Sequence, residues 1–113
     1  MSLDRARIAA DFARVVNMDG AELSAWLHTP ESKRVGFKSG AGQESIGHAS
    51  GQRIVEILRA RNDTLSADDY AHMRKVVGYI ARHSAQRPQN IYTSRWRYSL
   101  MNWGHDPLKE DER

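Results

Sequence analysis

Apolar residues recur at intervals of three and four through most of the chain, and this period predicts helices. Leu3 to Val16 reads as a first helix with Ile8, Phe12, Val15 and Val16 on one stripe. After the short Asn17-Met18 connection, Asp19 and Glu22 have the spacing of a capping box, and they open a second helix with Leu23, Trp26 and Leu27 facing inward. Thr29-Pro30 ends it, because a residue before proline is pushed out of the helical region. So brief a connection predicts that the first two helices form a near-antiparallel hairpin. Ser50 to Arg61 reads as a third helix, with Ile54, Val55, Ile57 and Leu58 directed to the core. The fourth and longest runs from Ser66 to Gln86, with Ser66 as N-cap and Asp69 completing the capping pattern. On it Tyr70, Met73, Val76, Val77 and Ile80 share one face, and His72, Lys75, Tyr79, Arg82 and Gln86 share another. Arg87-Pro88-Gln89-Asn90 breaks the chain. Thr93 can then cap a short helix through about Asn102, with Gly104 as its C-cap residue, Pro107 beyond it and Trp96, Leu100 and Trp103 on its inner side. From about residue 109 the tail is polar.

The segment Pro30 to Gly51 differs in kind. It holds five of the eight glycines (Gly36, Gly40, Gly42, Gly47 and Gly51), with Lys33, Arg34 and Lys38 among them. Glycine-rich backbone with cations, running into a helix start, suits a phosphate cradle. A plain structural loop whose glycines supply turns is the alternative. Gly42 to Gly47 has P-loop glycine spacing but lacks the following Lys-Ser/Thr pair, so a nucleotide triphosphatase is excluded. The expected architecture is therefore all-α. It has four main helices, a short C-terminal helix and a long Gly-rich loop between the second and third, in a single domain over residues 1–113.

Composition adds little until charge is located. The chain has no cysteine, which excludes disulfides, thiolate nucleophiles and cysteine-based metal sites. No apolar run reaches the ~20 residues of a membrane span, and the first residues lack a secretory signal pattern, so a cytoplasmic location is expected. Net charge is only +3, yet Tyr70 to His105 contains no Asp or Glu while holding Arg74, Lys75, Arg82, Arg87, Arg95 and Arg97. A one-signed segment makes a local positive field whatever the total. The bland alternative is a solvated face with counter-charges from Glu22, Glu44 or Glu56.

The third and fourth helices resemble a helix-turn-helix in outline. A recognition helix presents its N-terminal residues to bases, however, and here those are Asp68 and Asp69. Backbone contact, not base reading, is the expectation. His72 and His83 lie three turns apart, about 16 Å along a helix, too far to share an ion. No His pair or His-carboxylate cluster has ligand spacing, so neither metal nor cofactor is expected. Ser45, Ser50, Ser84 and Ser99 lack a nucleophile elbow, and no paired carboxylates flank a cleft. The helical spacing of Trp26, Trp96 and Trp103 points to core positions in preference to base stacking. Tyr79 instead falls on the Lys75/Arg82 stripe, where its hydroxyl can meet a phosphate.

The segments FARVVNMDGAELSAWL, GHASGQRIVEIL, DDYAHMRKVVGYIARHSAQRP and TSRWRYSLMNWGHDPLK together resemble the bacterial family of unknown function numbered 3140, over about Asp11 to Lys109. The resemblance implies a compact domain and transfers no activity or functional residue.

The charge pattern thus predicts a small nucleic-acid-binding protein without enzymatic activity, contacting the phosphates of double-stranded DNA with weak sequence preference. Lys75, Tyr79, Arg82 and Arg87 lead the expected contacts, with Arg74, Arg95 and Arg97 nearby and Lys33, Arg34 and Lys38 as a second phosphate loop. The rival is an interaction module docking an acidic protein or a second copy of itself on the same face. A third reading is an enzyme on a phosphorylated small molecule held by the Gly-rich loop.

Overall fold

The computed structural model describes residues 4–36 and 44–111. Among them there are seven α-helices: α1 (Arg5–Val15), α2 (Gly20–Leu27), α3 (Pro30–Arg34), α4 (Ile46–Arg59), α5 (Ala67–Ser84), α6 (Arg95–Asn102) and α7 (Pro107–Asp111). A 3₁₀ turn, Asn62–Thr64, joins α4 to α5. The described residues form no strand, and no helix among them is long and apolar enough to cross a membrane. The all-α expectation holds.

Six helices begin on a side-chain cap. Asp19 with Glu22, and Ser66 with Asp69, form the reciprocal capping boxes read from the sequence. Asp4, Thr29, Ser45 and Ser94 each accept from a backbone N–H three residues on. Two of these caps narrow the expected Gly-rich loop. Thr29 and Pro30 end α2 but also start α3, since proline at the first helical position loses no hydrogen bond and presets φ. Ser45, not Ser50, opens α4, so Gly47 and Gly51 are helical residues. At the C-terminal end Ser94 replaces Thr93 as the cap of α6, and Pro107 starts α7.

The helices pair differently from the expected hairpin. α1 packs chiefly on α5 and α2 on α4, while α6 lies between the pairs and touches α2, α3, α4 and α5. Leu23, Ile54, Val76 and Leu100, from α2, α4, α5 and α6, are fully buried at the centre. Leu58, expected inside, stands 36% exposed.

Glycine explains how α6 reaches the centre. A Cβ on Gly51 would sit 2.4 Å from the Asn102 carbonyl oxygen and 2.7 Å from Leu27 Cδ2. One turn earlier, a Cβ on Gly47 would lie 3.0 Å from Trp103 Nε1. The two bare positions form a groove on α4 in which the end of α6 lies. Fully buried Asn102 locks the junction: its Oδ1 accepts from Trp26 Nε1 at 2.7 Å and from Ser32 Oγ, and its Nδ2 donates to the Ser32 carbonyl.

α6 then stops in a Schellman turn. His105 N–H bonds to the Leu100 carbonyl and Gly104 N–H to that of Met101, with Gly104 at φ +84°. This turn clasps the α1–α2 connection. The Gly104 carbonyl accepts from the Asn17 and Met18 N–H groups, the Asn17 side chain pairs with the Asp106 backbone, and His105 Nδ1 donates to the Val15 carbonyl.

Gly51→Ala is expected to destabilise the protein by about 2 kcal/mol or more, because both obstructing groups are themselves held in place. Gly20→Ala, where the new Cβ would meet nothing nearer than 3.6 Å, is expected to change stability by at most about 0.5 kcal/mol. Urea unfolding of the two variants checks the contrast.

Candidate anion-binding cleft

The cationic side of α5 folds around aromatic rings. Tyr79 is half-buried, between the ring of Trp103 (centroids 4.1 Å apart, 14° between planes) and that of His83 (5.1 Å, 17°). The stack extends to His72 beyond Trp103 and to Trp96 beyond His83, each at 6.3 Å. Residues 72, 79 and 83 share one side of α5; Trp103, just past α6, inserts between His72 and Tyr79, and Trp96, two turns earlier, closes the stack against His83. Trp96 Nε1 donates to the His83 carbonyl at 2.6 Å, which fixes the register, and the Arg87 guanidinium lies 5.9 Å from the Trp96 ring centre. Both faces of Tyr79 and of Trp103 are occupied, so these rings offer edges and polar tips to a ligand, not stacking surfaces.

Beside the stack lies a cleft of about 320 Å³ between α5, α6 and the start of α4. Lys75 and Arg82 border it from α5, Ile46 and Gly47 from α4, and Ser99 and Trp103 from the α6 side. Trp103 is only 4% exposed. Its indole nitrogen lies on the Gly47 side, where it borders the cleft, and meets no acceptor among the described residues. Burial pushes the Tyr79 hydroxyl pKa up, against a smaller opposing effect of its hydrogen bond with Ser99, so it remains a neutral donor at physiological pH. Gly78 shapes the cationic rim. A Cβ there would meet Arg82 Nη1 at 3.1 Å, so the bare backbone lets the guanidinium fold back one turn toward Lys75.

The remaining sequence candidates divide. Arg74 and Arg95 are exposed, and among the described residues no carboxylate pairs with Arg74, Lys75, Arg82 or Arg95. Arg97 is different. Its side chain is 15% exposed, meets both Asp106 oxygens at 3.1 Å, and donates to the Tyr92 carbonyl. Its charge is matched internally, by an acid just outside the acid-free segment. Two of the three expected counter-charges are engaged elsewhere, Glu22 with Lys109 and Glu44 with His48. Lys33 and Arg34 lie in the last turn of α3, not in a loop. Lys33 borders a separate depression with His48 and Arg59. Lys38 lies outside the described residues.

Two histidines of the stack carry depressed pKa values. Burial is the main cause for His72, reinforced by Arg53 and Lys75 and opposed by its hydrogen bond with Ser50 (2.9 Å) and by Asp69. Burial also lowers His83, against its backbone hydrogen bond with Trp96. The Ser50–His72 pair is not set up as a nucleophile and base, because Ser50 is buried in the helix contact. Among the described residues no group of three metal-ligating side chains converges. Ile46, Gly47, Ser99 and Trp103 were not legible as cleft residues. The one local hint was the Gly47/Gly51 spacing, which on a helix marks a close approach.

Residues 11–101 match the model of the family described as Protein of unknown function (DUF3140), and the chain belongs to that family. No curated protein and no solved structure matches it.

Two outcomes follow from this geometry. The unfolded chain protonates His72 and His83 near the ordinary value of 6.5, before the folded protein does. Stability is therefore full above that pH, falls as pH drops from there toward the lower folded-state values, and then levels off. Urea midpoints at about pH 7.5 and 5.5, on either side of the unfolded value, should show the loss, and His83→Phe, which keeps a ring in the stack but cannot titrate, should reduce it. Gly78→Ala should raise stability by about 0.5–1 kcal/mol while displacing the Arg82 guanidinium and weakening anion binding, measured by thermal melting and phosphate titration of the same sample.

Proposed function

We propose that this member of the family binds nucleic acid through backbone phosphates along the cationic side of α5, with little sequence preference and without chemistry of its own. The observation that supports this reading is the set of exposed cations Arg74, Lys75 and Arg82 within one arc of α5, joined by Arg95 at the start of α6, with no carboxylate pairing among the described residues. Residues 74 to 82 span about 12 Å of helix, and duplex DNA presents one charge per ~1.7 Å of its axis. A cationic helix flank therefore meets several phosphates at once. Asp68 and Asp69 repel the duplex from the N-terminal end of α5, the end a recognition helix would insert. Arg87 lies past the end of α5 with its guanidinium over the Trp96 ring. Arg97, held by Asp106, supports α6 instead of touching the ligand.

Titration into a fluorescent random duplex at about 50 and 200 mM salt tests this, because affinity should fall with a log–log slope of about −0.9 per phosphate neutralised. Lys75→Glu/Arg82→Glu should remove most of the binding and flatten that slope. Wild-type binding by the double variant would show that this face is not the contact. No binding at the lower salt would leave an acidic protein surface, or a second copy of the chain, as the partner of these cations.

A further inference from the structure

We infer that the cleft between α5, α6 and the start of α4 is a binding site for a phosphate monoester the size of a single nucleotide. This site rests on Lys75 and Arg82, as the nucleic-acid reading does, but also on groups that a duplex cannot reach.

The first of these is the Trp103 indole. The residue is 96% buried, given its 4% exposure, yet its N–H has no acceptor among the described residues. The N–H opens toward the cleft, where an anionic acceptor on a ligand can take the place of water, and phenylalanine would fill the same place in the ring stack without offering that donor.

The second is the first turn of α4. The Ser45 hydroxyl satisfies the His48 N–H, while Ile46 and Gly47, whose N–H groups precede any intrahelical acceptor, line the cleft. This 14-residue helix directs its positive end there.

The third is charge. A monoester carries about −1.5 to −2 at neutral pH, which suits Lys75 and the folded-back Arg82, two cations that no carboxylate among the described residues pairs with. The 47% exposed side chain of Ile46 gives the sugar or base an apolar edge to lie against.

The occupied faces of Tyr79 and Trp103 set the selectivity. Among the described residues no ring at the cleft has a free face to sandwich a base, so the recognition these residues supply is led by the phosphate. The same chemistry is offered by a free 5′-mononucleotide and by the 5′-phosphorylated end of a strand. A duplex backbone, a chain of diesters on a convex surface, does not enter.

The test uses the full chain, labelled with ¹⁵N, and follows its three indole N–H signals. Addition of inorganic phosphate, ribose 5-phosphate or UMP should move the signal absent from Trp103→Phe. The Trp26 and Trp96 signals, already hydrogen-bonded, should stay, and uridine should move none. Calorimetry should show UMP binding weakened about tenfold in Trp103→Phe, the loss of one N–H bond to a charged acceptor, with duplex binding and its salt slope unchanged. The exposed-site variant Lys75→Gln/Arg82→Gln should weaken UMP further. Three unmoved indole signals, uridine binding as tightly as UMP, or a folded Trp103→Phe that binds UMP like the wild type would each overturn the inference. Loss of duplex binding with the indole shift retained would sink the nucleic-acid reading alone. A single-stranded oligonucleotide bound only when 5′-phosphorylated would identify the strand end as the source, and binding of UMP without it would identify the free nucleotide.

Discussion

The contact on which most of this molecule depends is the seating of α6 directly on the backbone of α4. At Gly51 the Asn102 carbonyl oxygen occupies the space a side chain would need, 2.4 Å from the absent Cβ. Because α6 comes this close, Asn102 reaches Trp26 and Ser32 and ties α2 and α3 to the same point. Trp103, one residue later, is carried into the gap between His72 and Tyr79. A larger residue at position 51 would lift α6 away. The polar hub, the ring stack and the wall of the cleft would then lose their register together.

The stack and the cationic rim have opposite requirements, and α5 meets both by dividing its surface. Rings at 72, 79 and 83 are pinned by tryptophans from the α6 side, which gives the helix a rigid flank. Next to that flank Lys75 and Arg82 remain in solvent, and among the described residues no carboxylate pairs with them. Gly78 is the concession between the two. Glycine in a helix interior weakens the helix, but here its bare backbone gives the Arg82 guanidinium a place to lie at the mouth of the cleft. Arg97 shows the contrasting fate of a cation, buried against Asp106, where it holds α6 to the turn that clasps the α1–α2 connection.

Local chemistry was legible in the chain wherever cause and effect lie within one or two helical turns. Asp19 with Glu22 and Ser66 with Asp69 cap their helices as read, Tyr70, Met73, Val76 and Ile80 are buried as their spacing implied, and Gly104 ends α6. The long segments from FARVVNMDG to WGHDP were enough to identify the family, and its model matches residues 11–101. The acid-free run from Tyr70 to His105 is likewise a property of sequence alone.

Tertiary structure decided everything that joins distant residues. Local pattern paired α1 with α2, but hydrophobic stripes do not specify partners, and the fold pairs α1 with α5 and α2 with α4. Glycine at 47 and 51 has the same composition in a loop as in a helix groove, and only the helix laid across it shows which it is. Arg97 looked like its exposed neighbours until Asp106, nine residues on, came within reach around the Gly104 turn. Trp103 was readable as a core residue, but not as a buried donor facing a cleft, because that depends on Gly47, 56 positions away in the chain. Sequence sets which groups are present and how each turn of helix begins and ends. Which groups meet is set by the packing of whole helices, whose free energy is spread over contacts that no short window contains.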